Sequence, residues 1–597
     1  MDIVNETGAA AGGGAFRARL SPGALAWAAA SVAAALAAYL LLPALTPAHL
    51  EGFTAALAAL GIHVAQGTLP AFDSLQPLNA EYYALTKLGA VLAVAAFVGP
   101  LQLDSDLALR LTMWIGFAAL VTGSVLLARR WSSAGWWFVL PPLLLMPGIV
   151  ESAFIYNDNV LSAGLAAIGL CLLYGRHPLS FVGAGLLLGL AVLTRTDTIL
   201  ACACVPVILF ERFGTARKAA AALAAVGASA AASLLGPLAY FNASIFDVLN
   251  VGAAVVQIWN RPTTGDGTWI MVLYFLGFPG LVMAGFGLAA LVRRKDALAL
   301  VRLLCGPALL LAILADRIWE IRQLLALTPF LVTLAAIGLK LVYDGRETAA
   351  RRWLRPAVAA VAIVALLGPM SGLRLRDGPR VLTGRVWAIP LWRTWQQAPR
   401  HDLAMLDRLV LSATPGTTLV LAADDWNEDR YLHLKLLDAG FAAADSASLA
   451  PPCRPIAERF TRGDREVLLM RLHHGVVPYW REIKEERLTL WGLPCLGSLP
   501  DAEVLFVASA DHLRALLPAA RAAPAFAPRP DDPRRDPLVS ALSYGPIVAL
   551  PLTPELRPQL LAAYRREAAA LPRAPGERRP TLGDAVAATR KRTAFPG

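Results

Sequence analysis

Long apolar runs, each about the length needed to cross a hydrocarbon layer and separated from the next by Lys and Arg in twos and threes, constrain this chain more than any other feature. A soluble core of 597 residues has no use for so much apolar surface: 57% of the residues are hydrophobic, 16% are charged, and the mean hydropathy is +0.55. The formal charge of +11 is scattered between the runs rather than gathered into one stripe, so it reads as a topology signal and gives no case for nucleic acid.

Taking runs of about 17 to 25 apolar residues as spans predicts residues 23–44, 109–128, 134–150, 159–175, 179–194, 198–211, 219–240, 269–292, 298–315, 323–342 and 356–370. The basic clusters then fall on one face: Arg17 and Arg19; Arg129 and Arg130; Arg176; Arg212, Arg217 and Lys218; Arg293, Arg294 and Lys295; Arg346, Arg351, Arg352 and Arg355. The run 84–99 is apolar enough to cross, but crossing there would invert every later loop, so it is expected to lie along the outer surface as a juxtamembrane helix. The fold class expected is a polytopic α-helical membrane protein with about eleven transmembrane helices and a C-terminal α/β domain on the outer side.

The domain reading follows: 1–22 as a cytoplasmic segment, 23–370 as the membrane domain with a long outer loop at 45–108, 371–522 as the outer domain, and 523–597 as a Pro-rich linker, a further outer segment and a basic tail. Within the outer domain, 418–422 and 502–508 read as buried strands, and 428–439 and 511–519 as helices. No Gly-rich phosphate loop occurs there. Cys453 and Cys495, the cysteines of this outer domain, form a disulfide or remain two buried thiols; spacing does not decide.

Ionisable residues left on the outward side gather at span ends: Asp73, Glu81 and Lys87; Glu151 and Asp158; Arg195 and Asp197; Asp316, Arg317, Glu320 and Arg322. Charge at that depth is costly unless paired or used, so four loops bringing carboxylates and guanidiniums to one face suggest a site. The segment AFDSLQPLNAEYYALTKL (71–88) resembles the first outer loop of the C-type glycosyltransferases, membrane enzymes that take sugars from polyprenyl phosphate carriers. DLALRLTMWIGFAALVTGSVLLARR (106–130) is similar to their second span, and FIYNDN (154–159) stands where they carry a second acidic motif. GLLLGLAVLTRTD (185–197) resembles their turn between two spans with Thr196 for the usual Pro, and EIRQLLALTPF (320–330) resembles a late Arg-Tyr-Leu-Leu segment with Gln323 for Tyr. The bacterial relatives of protein O-mannosyltransferases and lipid A aminoarabinose transferases are the nearest comparison.

That resemblance implies an inverting glycosyltransferase (GT-C) of the bacterial inner membrane, with the N-terminus cytoplasmic and the C-terminal domain periplasmic. It implies a lipid-linked sugar as donor and a lipid, glycan or protein as acceptor. Asp73 is the expected general base, or else an N-cap of a helix beginning near Leu78, and Glu81 substitutes for it, orients it, or is a solvated charge. Lys87, Arg195, Arg317 and Arg322 are the expected phosphate clamps, against plain pairing of Arg195 with Asp197 and of Arg317 and Arg322 with Asp316 and Glu320. Asp158 and Glu151 are candidates for acceptor or divalent cation binding, Mg or Mn, with helix capping the alternative for Asp158. No transition-metal spacing occurs. Two other classes fit a many-helix chain: a secondary transporter or flippase, which would hold its charges at mid-depth, and a non-catalytic membrane scaffold of the same architecture.

Overall fold

A computed structural model of the chain describes residues 52–67, 86–146, 148–149, 158–240, 244–246, 267–313, 321–344, 375–377, 380–382, 410, 413–422, 426–444, 449, 457–471, 503–509 and 547–570. Helices α1 (Gly52–Gln66), α2 (Leu88–Val98), α3 (Ser105–Ser132), α4 (Trp136–Leu145), α5 (Asp158–Leu172) and α6 (Leu179–Thr194) come first. A short turn of helix at Thr198–Ala201 and a 3-10 turn at Cys202–Cys204 lead into α7 (Val205–Phe213). Then follow α8 (Ala216–Tyr240), α9 (Gly267–Arg293), α10 (Ala297–Ile313), a 3-10 segment Ile321–Leu327, and α11 (Thr328–Asp344).

Three helical stretches, Ser105–Ser132, Ala216–Tyr240 and Arg322–Asp344, are long and apolar enough to cross a membrane, and shorter apolar helices pack with them. The predicted spans 23–44 and 356–370 lie outside the described residues. Span 198–211 is broken by the 3-10 turn at its cysteines, and α9 is broken at Gly277, whose φ of +66° is open to glycine alone at little cost. The run 84–99 forms only the 11 residues of α2, about 16 Å of helix, half a hydrocarbon layer. Helix α2 buries Leu88, Ala90, Val91 and Val94. Its partners are α1, α3 and α6. Helix α1 has no counterpart in the sequence reading.

Helices approach closely where side chains are absent, because lipid supplies no hydrophobic drive between spans and packing must come from contact. A Cβ on Gly164 of α5 would run into the Gly116 carbonyl of α3, and one on Gly123 into Ala167. These contacts fix the level of the first turn of α5.

The two ends of the bundle differ in chemistry. At the end where α3 and α5 finish, Arg130 stacks on Tyr174, Trp131 donates to the Tyr174 hydroxyl at 2.7 Å, and Arg212 donates to the Leu173 and Gly175 carbonyls. Arg302 closes on Glu211 with contacts of 2.5 and 2.7 Å and lies over the Trp131 ring. The basic clusters of the sequence reading that fall on described residues sit at this end.

The C-terminal part is a mixed α/β domain. Strands β1 (Leu375–Asp377) and β2 (Arg380–Leu382) pair antiparallel by themselves. Strands β3 (Thr417–Ala422), β4 (Ala442–Ala444), β5 (Ala457–Arg462), β6 (Arg465–Arg471), β7 (Val504–Ser509) and β8 (Ile547–Pro551) form one sheet in the order β4-β5-β6-β3-β7-β8, with β6, β3 and β7 parallel. Helices α12 (Trp426–Asp438) and α13 (Leu556–Ala570) complete it. The strands expected at 418–422 and 502–508 and the helix at 428–439 match β3, β7 and α12 within two residues, while 511–519 lies outside the described residues. Strand β8 comes from the segment set apart after residue 522, and pairs with β7.

Candidate active site

The charged residues that converge sit at helix ends. Lys87 occupies the N-cap position of α2, Asp158 is the first residue of α5, and Arg195 caps the C-terminus of α6 in extended geometry. Arg322 stands at the start of the 3-10 segment that leads into α11. Because α5 begins and α6 ends here, this is the end of the bundle opposite the Arg130 and Arg302 cluster.

Glycine sets the approach of α2. A Cβ on Gly89 would lie inside the contact distance of Thr194 Oγ1 and 2.9 Å from the Thr194 backbone nitrogen. With no Cβ there, α2 comes down onto the C-terminus of α6 and sets Lys87 beside Asp158 and Arg195. Ser162 ties the same elements, donating to the Ala191 carbonyl at 2.8 Å and lying 2.6 Å from the Thr198 hydroxyl.

Lys87 Nζ pairs with Asp158 Oδ2, and both residues are 6% exposed. Arg195 holds the same Asp158 oxygen through Nη1 at 3.3 Å, and grips Asp197 with two bonds, Nε to Oδ1 at 2.9 Å and Nη2 to Oδ2 at 2.6 Å. The pairing of Arg195 with Asp197 weighed from the sequence is therefore present, and Asp158 is shared between two cations besides. The position of Asp158 in the first turn of α5 adds favourable interaction with the helix N-terminus.

Beside this network lies a small open cleft lined by Asn159, Arg195, Asp197, Thr198, Arg322 and Gln323, with Leu310 and Ala326 as its apolar part. Gln323 Oε1 is buried with no hydrogen-bond partner among the described residues. Around cleft and network stand three cations, Lys87, Arg195 and Arg322, against two carboxylates, Asp158 and Asp197. The arrangement favours a ligand that brings negative charge and hydrogen-bond donors. Among the described residues, no three His, Cys, Asp or Glu side chains gather as a metal site.

Asp73, Glu81, Glu151 and Arg317, and the pair Cys453 and Cys495, lie outside the described residues. The cysteines described, Cys171, Cys202, Cys204 and Cys305, are free thiols in apolar surroundings. Sequence reasoning brought Lys87, Asp158, Arg195 and Arg322 to one face but did not pair Lys87 with Asp158. It noted Gln323 only as a departure from a motif. A lone Lys at the head of an apolar run was the available signal for the first; nothing local announced the second.

The C-terminal domain sits at this same end. Helix α12 packs along α1, and Ser105 at the head of α3 donates to Asp438 at 2.5 Å. The domain is thus on the far side of the bundle from the basic end.

No protein-family model matches the chain, and no curated protein matches it in sequence. The alignment with ArnT from Cupriavidus metallidurans in the apo state covers 83% of this chain and 95% of the other, at 16% identity and a TM-score of 0.48. At 15% identity, a TM-score of 0.50, and coverage of 83% of this chain and 95% of the other, the fold is similar to that of ArnT from Cupriavidus metallidurans bound to undecaprenyl phosphate.

Proposed function

We propose that the chain is an integral membrane glycosyltransferase that moves a sugar from a polyprenyl phosphate donor to an acceptor on the outer, periplasmic face of a bacterial inner membrane. The observation that carries this reading is the meeting of Lys87, Asp158, Arg195 and Arg322 at the end of the bundle that bears the C-terminal domain, beside an open cleft. The fold shared with a protein solved with undecaprenyl phosphate supports a lipid phosphate as the ligand, as does the motif resemblance.

The chemistry asked of such a site is modest. A base takes the proton of the acceptor hydroxyl as its oxygen attacks the anomeric carbon, and the bond from that carbon to the phosphate oxygen breaks. The leaving lipid phosphate gains one negative charge. Cations already fixed in place stabilise that charge without reorganising. Arg195 and Arg322 face the cleft for this role, with Lys87 behind Asp158 and Arg317 a further candidate. Asp73 is the proposed base and Glu81 its proposed neighbour. One displacement inverts the anomeric centre. Asp158 bridges Lys87 and Arg195 and offsets their mutual repulsion, and Glu151 is proposed to face the acceptor with it.

A transporter would carry ionisable groups at mid-depth. Here they stand at helix ends, which favours the enzyme. The test is transfer from a panel of labelled undecaprenyl-phosphate sugars by the wild type and by Asp73→Asn. Transfer from at least one donor by the wild type, reduced a hundredfold or more by the substitution, is expected. Full transfer by Asp73→Asn removes Asp73 as base, and no transfer from any donor favours the scaffold reading.

A further inference from the structure

The seam between the membrane helices and the C-terminal domain holds a buried relay that catalysis does not use. His63 of α1 and His433 of α12 face each other with Nε2 atoms 3.4 Å apart, and the residues are 2% and 4% exposed. Glu458 of β5 accepts from His433 Nδ1 at 2.8 Å, and Phe460 stands edge-on to the His433 ring. The ring centroids are 5.7 Å apart. That separation belongs to two rings pointing nitrogen to nitrogen along one line, the geometry of one shared hydrogen rather than of two lone pairs converging on a cation. Since His433 Nδ1 carries a hydrogen toward Glu458, His433 Nε2 accepts and His63 Nε2 donates when the pair is neutral.

We propose that His63, His433 and Glu458 form a proton-sensitive clasp by which the C-terminal domain holds the outer-loop helices α1 and α2, and through them Lys87, in position. The closed pair accommodates one extra proton, because an imidazolium still donates to a neutral imidazole and Glu458 balances its charge. A second extra proton sets two N–H donors head to head between two buried rings. Two imidazoles released into water each take a proton below about pH 6.5. The open state therefore binds one proton more than the closed state in acid, and the clasp loosens as pH falls, about tenfold per pH unit. Helix α1 transmits this to the site: it packs along α2, with Gly61 against Val94, and α2 carries Lys87 at its head.

The other charges at the seam do not produce this sense of change. Helices α1 and α2 contribute no Asp, Glu, Lys or Arg of their own beyond Lys87 at the cap. Arg459, beside Glu458, is paired with Glu466 at 2.7 Å. Lys435 and Asp438 lie 3.8 Å apart on α12, and Asp104 and Asp106 stand at the head of α3. Burial, partly offset by the Ser105 hydroxyl, holds the Asp438 carboxyl above the usual carboxylate range. Its protonation favours the closed seam in acid, the opposite direction.

The inference rests on the proposed function only for its consequence at Lys87; the clasp itself is tested without a donor. Hydrogen exchange of the full chain in nanodiscs, followed by mass spectrometry between pH 8 and 5 and corrected for intrinsic exchange, reads the protection of residues 52–66 and 426–438. In the wild type, protection in both helices falls about tenfold per unit below about pH 6.5. In His63→Gln the fall is absent, and in Glu458→Gln it steepens toward about a hundredfold per unit because the first proton is no longer balanced. Asp438→Asn keeps the fall and removes only the opposing contribution of that carboxyl. A flat wild-type profile, or the same slope in His63→Gln as in the wild type, overturns the clasp. Should the slopes appear as stated while undecaprenyl phosphate fails to bind at any pH, the clasp stands and the donor reading falls.

Discussion

Replacing Asp158 by Asn removes the carboxylate shared by Lys87 and Arg195. Both side chains of the Lys87–Asp158 pair are under one-tenth exposed, so water screens little of the loss. Arg195 keeps Asp197 and is only partly affected. Lys87 is left buried beside a cation with two options. It remains charged, at the several kcal/mol typical of a broken buried pair, or it gives up its proton. A lysine that titrates near 10.4 in water costs about 4.6 kcal/mol to neutralise at pH 7, which sets the ceiling. The expected loss in SDS-driven equilibrium unfolding is therefore about 3 to 4.6 kcal/mol. The double variant Lys87→Met with Asp158→Asn removes both charges and is expected to recover at least about 2 kcal/mol of that loss. Undecaprenyl phosphate affinity, by contrast, does not return in the double variant if Lys87 belongs to the phosphate site. Single-variant losses that add to within about 0.5 kcal/mol in the double refute the reasoning, because the two groups would then not be coupled.

Three further outcomes follow from the geometry. Gly89→Ala forces α2 away from Thr194 and is expected to cost about 1 to 3 kcal/mol in the same assay and to weaken lipid phosphate binding, since Lys87 moves with the helix. Glu211→Gln leaves Arg302 without its carboxylate at the opposite end of the bundle; it is expected to lower the unfolding midpoint while transfer per folded molecule holds. Asp438, whose folded carboxyl binds its proton more tightly than an unfolded one, contributes stability that is present in acid and lost as pH rises through its folded value. Asp438→Asn keeps an acceptor for Ser105 and should flatten that part of the stability profile above the ordinary carboxylate range.

Much of this was legible in the chain because two simple rules act on it. Apolar length and basic flanks located α3, α5, α6, α8 and α10 closely, and the alternation of buried strand and helix located β3, α12 and β7. What escaped depended on contacts between distant segments. Helix α1 is apolar but short, and its register is set by packing on α2 and α12, which no local pattern announces. The partner of Lys87 lies 71 residues away, and the approach depends on a glycine whose importance is visible only against Thr194. Gln323 read as a deviation from a motif, whereas the structure makes its buried carbonyl an acceptor at a cleft. Likewise His63 carries no signal of its own in the sequence; its meaning comes from His433, 370 residues on.

The central claim is that the cleft between Arg195 and Arg322 takes the phosphate of a polyprenyl carrier. Titration of undecaprenyl phosphate into the wild type, Arg195→Ala and Arg322→Ala in nanodiscs measures it directly. Each guanidinium is expected to contribute a charge-assisted hydrogen bond, so each substitution should weaken binding by about tenfold or more, and neutral undecaprenol should not compete. Equal affinity in all three proteins, or equal competition by undecaprenol, would contradict it.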